Sequence, residues 1–131
     1  MHNHPIARLV AAADAAINAE DFDRLLDFYA DDAVLVIRPG QNASGKAQIR
    51  QAFVAIAAYF NHSLQVTQDA LHILQNGNTA LVLAKTRIRS DQLGETCRDA
   101  TYVFGLDANG DWHCTIDNSY GHRLLDQPQP A

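Results

Sequence analysis

Apolar positions recur with helical spacing in the first half of this chain and alternate in the second. Residues 5–19 set Ile6, Leu9, Val10, Ala13, Ala16 and Ile17 on one stripe. That spacing predicts a helix with Pro5 in its first turn and Asn18 at its end. Asp21 offers an N-cap to a second, shorter helix carrying Phe22, Leu25, Leu26, Phe28 and Tyr29, which the pair Asp31-Asp32 is expected to break. The β-branched run AVLVI, 33–37, reads as a buried strand and Pro39-Gly40 as a turn. Ser44 is placed to cap a third helix, in which Ile49, Phe53, Ile56 and Phe60 recur on one face. Beyond His62 the period changes. LQVTQDALHIL, TALVLAKTRIRS, ETCRDATYVFGL and DWHCTIDNSYG are strand-like, and turn-forming stretches that include Asn76-Gly77, Asp91–Gly94 and Asn109-Gly110 separate them. Helix, helix, strand, helix and then an antiparallel meander predict an α+β fold with helices on one face of a curved sheet.

Length and composition narrow the class without naming a chemistry. The 131 residues suit one domain, 1–131, ordered over about 5–124, with the tail DQPQPA expected to be disordered. A chain of this size buries roughly two thirds of its unfolded surface, enough for a core without staples. The net charge is −5, and the ten basic residues form no run longer than the alternating Lys85, Arg87 and Arg89. That balance argues against nucleic acid or an anionic membrane as partner. Cys97 and Cys114 have no metal-type spacing and read as reduced thiols; His2 and His4 fall in a terminus expected to be mobile. No metal and no tightly held cofactor is expected. No segment reaches the ~20 apolar residues of a membrane span. IARLVAAADAAINA, broken by Asp14, reads as a helix of the mature fold rather than a signal segment, which makes the cytoplasm the default compartment.

Two hairpins decide which side chains share a face. With Asn109-Gly110 as a two-residue turn, Leu106 stands opposite His113, Phe104 opposite Thr115, Tyr102 opposite Asp117 and Ala100 opposite Ser119. An odd loop with a bulge would swap the faces. The same reasoning keeps Cys97 and Cys114 out of register. At Asn76-Gly77 it sets Leu71 against Val82 and Ile73 against Ala80, with His72 against Leu81 on the other face. Both faces of that hairpin carry apolar residues, so a second copy of the chain is expected on the side the helices leave open.

The element order, with NAEDFDRLLDFYADDAVLVI, GKAQIRQAF and GDWHCTIDNSYG, resembles the nuclear transport factor 2-like superfamily, and within it the SnoaL-like and ketosteroid-isomerase-like proteins. The likeness covers roughly residues 6 to 121. It implies a conical barrel of a strongly curved, mostly antiparallel sheet, with three helices of the N-terminal half packed over its concave face. A deep pocket lies between them, and dimers are usual. Members include isomerases, cyclases, dehydratases and plain binding domains. The resemblance also implies what this chain lacks. Aligned on Tyr29-Ala30-Asp31-Asp32-Ala33, the base carboxylate of the ketosteroid isomerases falls at Ile37, the helix-1 tyrosine at Ala13 and the donor aspartic acid at Tyr102. A steroid isomerase of that mechanism is not expected.

What remains is a polar face near the C-terminus. The alignment turns Tyr102, Thr115, Asp117 and Ser119 toward the pocket. Asp117 is the candidate proton carrier, and Tyr102 the candidate donor to a ligand oxygen. Ligand contacts are expected from His113, Thr115 and Ser119, from Phe104 on the facing strand and from Tyr59 at the mouth. His113 either shares the cavity or reaches solvent at its rim. A buried Asp bonded to Tyr is equally an ordinary structural device, so catalysis and simple binding or dimerisation stay open together. A small, partly hydrophobic carbonyl metabolite is the expected ligand.

Overall fold

The computed structural model describes residues 4–126. Helix α1 spans Pro5–Ala19 and α2 Phe22–Leu25, the latter followed by a 3-10 turn, Leu26–Phe28. Strand β1 (Tyr29–Arg38) and the short β2 (Gln41–Ser44) precede α3 (Lys46–Tyr59). Then come β3 (Gln65–Asn76), β4 (Thr79–Ser90), β5 (Gly94–Leu106) and β6 (Trp112–Asn118), with a 3-10 helix, Gly121–Asp126, at the end. One curved sheet runs β2-β1-β6-β5-β4-β3; β1 and β6 are parallel and every other pair is antiparallel. The sheet does not close, leaving β2 and β3 as its edges. Helices α1 and α3 cover one face, where Ile6, Val10, Leu25, Tyr29, Ile49, Val82 and Phe104 form the core. Each such fully buried side chain contributes about 1.5–3 kcal/mol.

Several boundaries move for identifiable reasons. Asp21 caps α2 through Arg24 N–H as predicted, but Asp31 and Asp32 lie within β1. The helical turn stops at Phe28 because Tyr29 already pairs with Cys114 of β6, and sheet pairing captures the chain there. Asn18 does not end α1. Glu20 takes the left-handed cap, while the Asn18 amide bonds both Val66 N–H (2.7 Å) and Val66 C=O (3.0 Å), stitching α1 to β3. Gly45, at φ +81°, takes the N-cap position of α3 in place of Ser44, which lies in β2 and pairs with Val34 of β1. β2 itself carries only one inward apolar residue, Ala43, too little periodicity to announce a strand. His4 is held in place: its Nδ1 accepts from Ile6 N–H and its ring packs on Trp112. Asp126 belongs to the last 3-10 helix; the rest of the expected tail, and His2, lie outside the described residues.

The β3–β4 turn is centred one residue later than predicted, with Gly77 (φ +59°) as its first central residue. Ile73 therefore faces Val82, Leu71 faces Ala84 and His72 faces Leu83. A shift of two in the pairing preserves the faces. Both cysteines are free, Cys97 exposed and Cys114 buried.

Candidate functional site

At the far end of the last hairpin, pairing follows prediction: Tyr102 stands opposite Asp117 and Val103 opposite Ile116. At Thr115 it slips by one, so that Phe104 meets Cys114, Gly105 meets His113 and Leu106 meets Trp112. The cause is the turn. Residues 107–111 form a longer loop, in which the Asp107 carboxylate accepts from Asn109 N–H and Asp111 N–H, and a bulge absorbs the odd residue. Parity is kept at 102 and 117 and reversed toward the loop.

His113 and Thr115 therefore do not join the inner face. His113 Nε2 bonds the Asp107 carboxylate at 2.9 Å, and Thr115 Oγ1 donates to the Val103 carbonyl. Phe104 points inward but is sealed at 0% exposure, packed edge-on against Phe28. Tyr59, 72% exposed, borders an open groove outside α3. Of the seven predicted site residues, Asp117, Tyr102 and Ser119 line one cavity of about 160 Å³.

That cavity lies between α1, α3 and the inner sheet face, walled by Leu35, Ile37, Phe53, Ile56, Val66 and Ile88. Its polar groups come from four elements. Asp117, on β6, accepts a 2.6 Å hydrogen bond from the Tyr29 hydroxyl at the start of β1. Burial pushes the Asp117 carboxyl up to about 6 against that bond. Asp14, on α1, accepts from Gln68 Nε2 on β3 at 3.1 Å. Burial, aided by the Asp117 charge, lifts its carboxyl to about 7. Gln68 in turn accepts from Thr86 Oγ1 (2.9 Å), and Thr86 adjoins the Tyr102 hydroxyl. Burial and the Asp117 carboxylate hold both Tyr29 and Tyr102 well above the usual phenol range, with Asp14 adding to the effect at Tyr102, so both remain O–H donors.

Arg98, on β5, completes the lining. Its Nη1 lies 3.4 Å from Ser119 Oγ and its guanidinium stacks 4.4 Å over the Tyr120 ring. Tyr120 is held by a turn in which Asn118 Oδ1 accepts from Tyr120 and Gly121 N–H groups. Gly121, at φ +55°, sits against the Asp99 backbone, where a Cβ would come within 2.1 Å of the carbonyl oxygen. The other strand cations turn outward: Lys85 pairs with Asp99, and Arg87 with Asp69 and Glu95. Among the described residues no group of three or more His, Cys, Asp or Glu side chains could hold a metal ion.

Asp14 and Arg98 escape a reading that looks only for a polar strand. Asp14 did leave a signal, lying four residues after Val10 and three before Ile17, within the apolar stripe of α1. Arg98 shares the parity of Ala100 and Tyr102. Tyr29 left none, since 88 positions separate it from Asp117.

A curved, mostly antiparallel sheet with helices packed over a small, mainly apolar cavity is an α+β fold of nuclear transport factor 2-like architecture. The chain belongs to the family of the SnoaL-like domain, whose model matches residues 10–113. Similar solved structures include a protein of unknown function with a cystatin-like fold from Nostoc punctiforme (22% identity, 86% of this chain and 84% of that one, TM-score 0.74). A Shewanella frigidimarina protein provisionally assigned as a ketosteroid isomerase is 14% identical (88% and 94% covered, TM-score 0.75). A Streptomyces avermitilis protein of the NTF2-like family, provisionally assigned as a dehydratase, is 23% identical (86% and 89% covered, TM-score 0.67). At these identities the likeness shows the fold alone. Comparison with curated protein sequences returns no match.

Proposed function

We propose that this SnoaL-like domain is a proton-transfer enzyme acting on a small, partly hydrophobic carbonyl compound, of isomerase, cyclase or dehydratase type. One observation carries the reading: two carboxyl groups, raised to about 7 and about 6, line a single small apolar cavity. Near neutral pH such a pair offers one group that can still give a proton and one that is largely ready to take it. Asp117 is the base, oriented by Tyr29; Asp14 is the acid; Tyr102 donates to the ligand oxygen. The test is deuterium exchange at carbon next to the carbonyl across a panel of small ketones and oxoacids, followed by NMR. Asp117→Asn should lower the exchange at least 100-fold, the scale of a lost general base. Exchange unchanged in that variant sinks the assignment.

A second reading rests on the Tyr29–Asp117 bond, which satisfies the buried carboxylate without any ligand. In it the cavity binds without chemistry, and Asp117→Asn keeps ligand affinity within a few-fold while no compound exchanges. Under either reading the chain pairs with a second copy through the sheet face opposite the helices. Leu74, Leu81, Val103 and Ile116 form one register row across β3, β4, β5 and β6, and Leu74, Leu81 and Ile116 are exposed. A contiguous apolar row of this kind suits a self-complementary two-fold contact.

A further inference from the structure

Among the described residues Arg98 is the only cation lining the cavity, and no carboxylate pairs with it. Its partners are neutral: the Ser119 hydroxyl at 3.4 Å and the face of Tyr120. Arg98 is half-buried, and together with Tyr120 it also borders two open grooves outside the cavity, so it stands at the mouth. A cation drawn partly out of water and held flat by an aromatic ring keeps donors to spare, in a fork that matches a carboxylate. The sequence does not neutralise it, though it does so for Arg50, Arg87, Lys46 and Lys85.

Size and spacing restrict what could meet it. A cavity near 160 Å³ falls below the ~300–1,000 Å³ of drug-sized sites and close to the ~150 Å³ that accommodates a benzene ring. Ser119, where the guanidinium rests, is two residues beyond Asp117, in the turn after β6, so at most roughly 7 Å along the chain. An anionic head at Arg98 therefore leaves room for a few carbon–carbon bonds before the aspartates. Two carboxyl groups at that inner end disfavour a second negative charge there.

We propose that the cavity takes a small monocarboxylate, a single ring or a short branched chain, with its carboxylate held by Arg98 against Tyr120 and Ser119 and its other end facing Asp14 and Asp117. This rests on the reading of the cavity as a small-molecule site, and on no chemistry at the aspartates. Titration calorimetry on the full chain tests it with benzoate, cyclohexanecarboxylate and 4-methyl-2-oxopentanoate, each against its neutral primary amide. At least one acid should bind ten-fold or more tightly than its amide. Arg98→Met should remove that preference and Arg98→Lys retain part of it, with circular dichroism confirming that both fold. Should Arg98→Met not fold, the acid–amide contrast on the unaltered chain and the Arg98→Lys variant decide. Equal binding of acids and amides, no binding of any acid, or an undiminished preference in Arg98→Met overturns the assignment. Acid binding through Arg98 without deuterium exchange would remove the enzymatic reading and leave this one standing.

Discussion

Asp14 and Asp117 are the residues through which this protein should sense pH. Their folded carboxyls titrate near 7 and 6, above the ordinary 3.8, because burial disfavours the charged form. A group whose proton is held more tightly in the folded state adds stability that is complete below its unfolded value and disappears as pH rises through its folded value. The melting temperature should therefore fall as pH rises from about 4 to about 7. Asp14→Asn should flatten the upper part of that fall, since the amide has no proton to lose. Thermal unfolding of both proteins across that range checks it, and parallel curves would show that Asp14 is not buried as described. At this scale the sequence showed Asp117 and Tyr102 on one face. It did not show that Asp117 takes its hydrogen bond from Tyr29, because that contact is made across the parallel β1–β6 pairing and not within a hairpin.

Elements here are joined by single side chains whose roles no local pattern reveals. Asn18 supplies both missing backbone partners to Val66 on the edge strand β3. Asn18→Ala leaves that N–H and C=O without them, and denaturant unfolding should show a loss of about 1–3 kcal/mol. Gly121 is the matching device at the other end. Gly121→Ala requires a side chain in left-handed backbone against the Asp99 carbonyl, so it should destabilise by at least ~1 kcal/mol and displace Tyr120 from Arg98. Near-UV circular dichroism of the tyrosines would report the second effect. The bulge at Thr115 has the same character. Asn109-Gly110 announced a hairpin, and the alternation of 112–119 announced a strand, but loop length set the register and removed His113 and Thr115 from the inner face.

For the molecule as a whole, the outward row from Leu74 to Ile116 predicts a dimer. Leu81→Asp places a charge in the middle of that row and should convert the dimer to monomer, measured by light scattering during size exclusion, with the fold retained. A monomer before substitution would show that the row faces water. Among the described residues no helix is long and apolar enough to cross a membrane. The α+β layout was legible from the chain because period changes, caps and Asn-Gly turns are local signals, and their order restricts the layers that can form; the SnoaL-like family was legible only as a resemblance of particular stretches.

The sequence alone determined the three N-terminal-half helices, five of the six strands, and that Tyr102 and Asp117 share one face of the last hairpin. Tertiary structure alone decided that Asp14 and Arg98 meet them around one cavity, and that His113, Thr115, Phe104 and Tyr59 do not. The division follows from range. Periodicity is set by neighbours three or four residues away, whereas a cavity is set by how separate elements pack, and one bulge is enough to redirect a strand end.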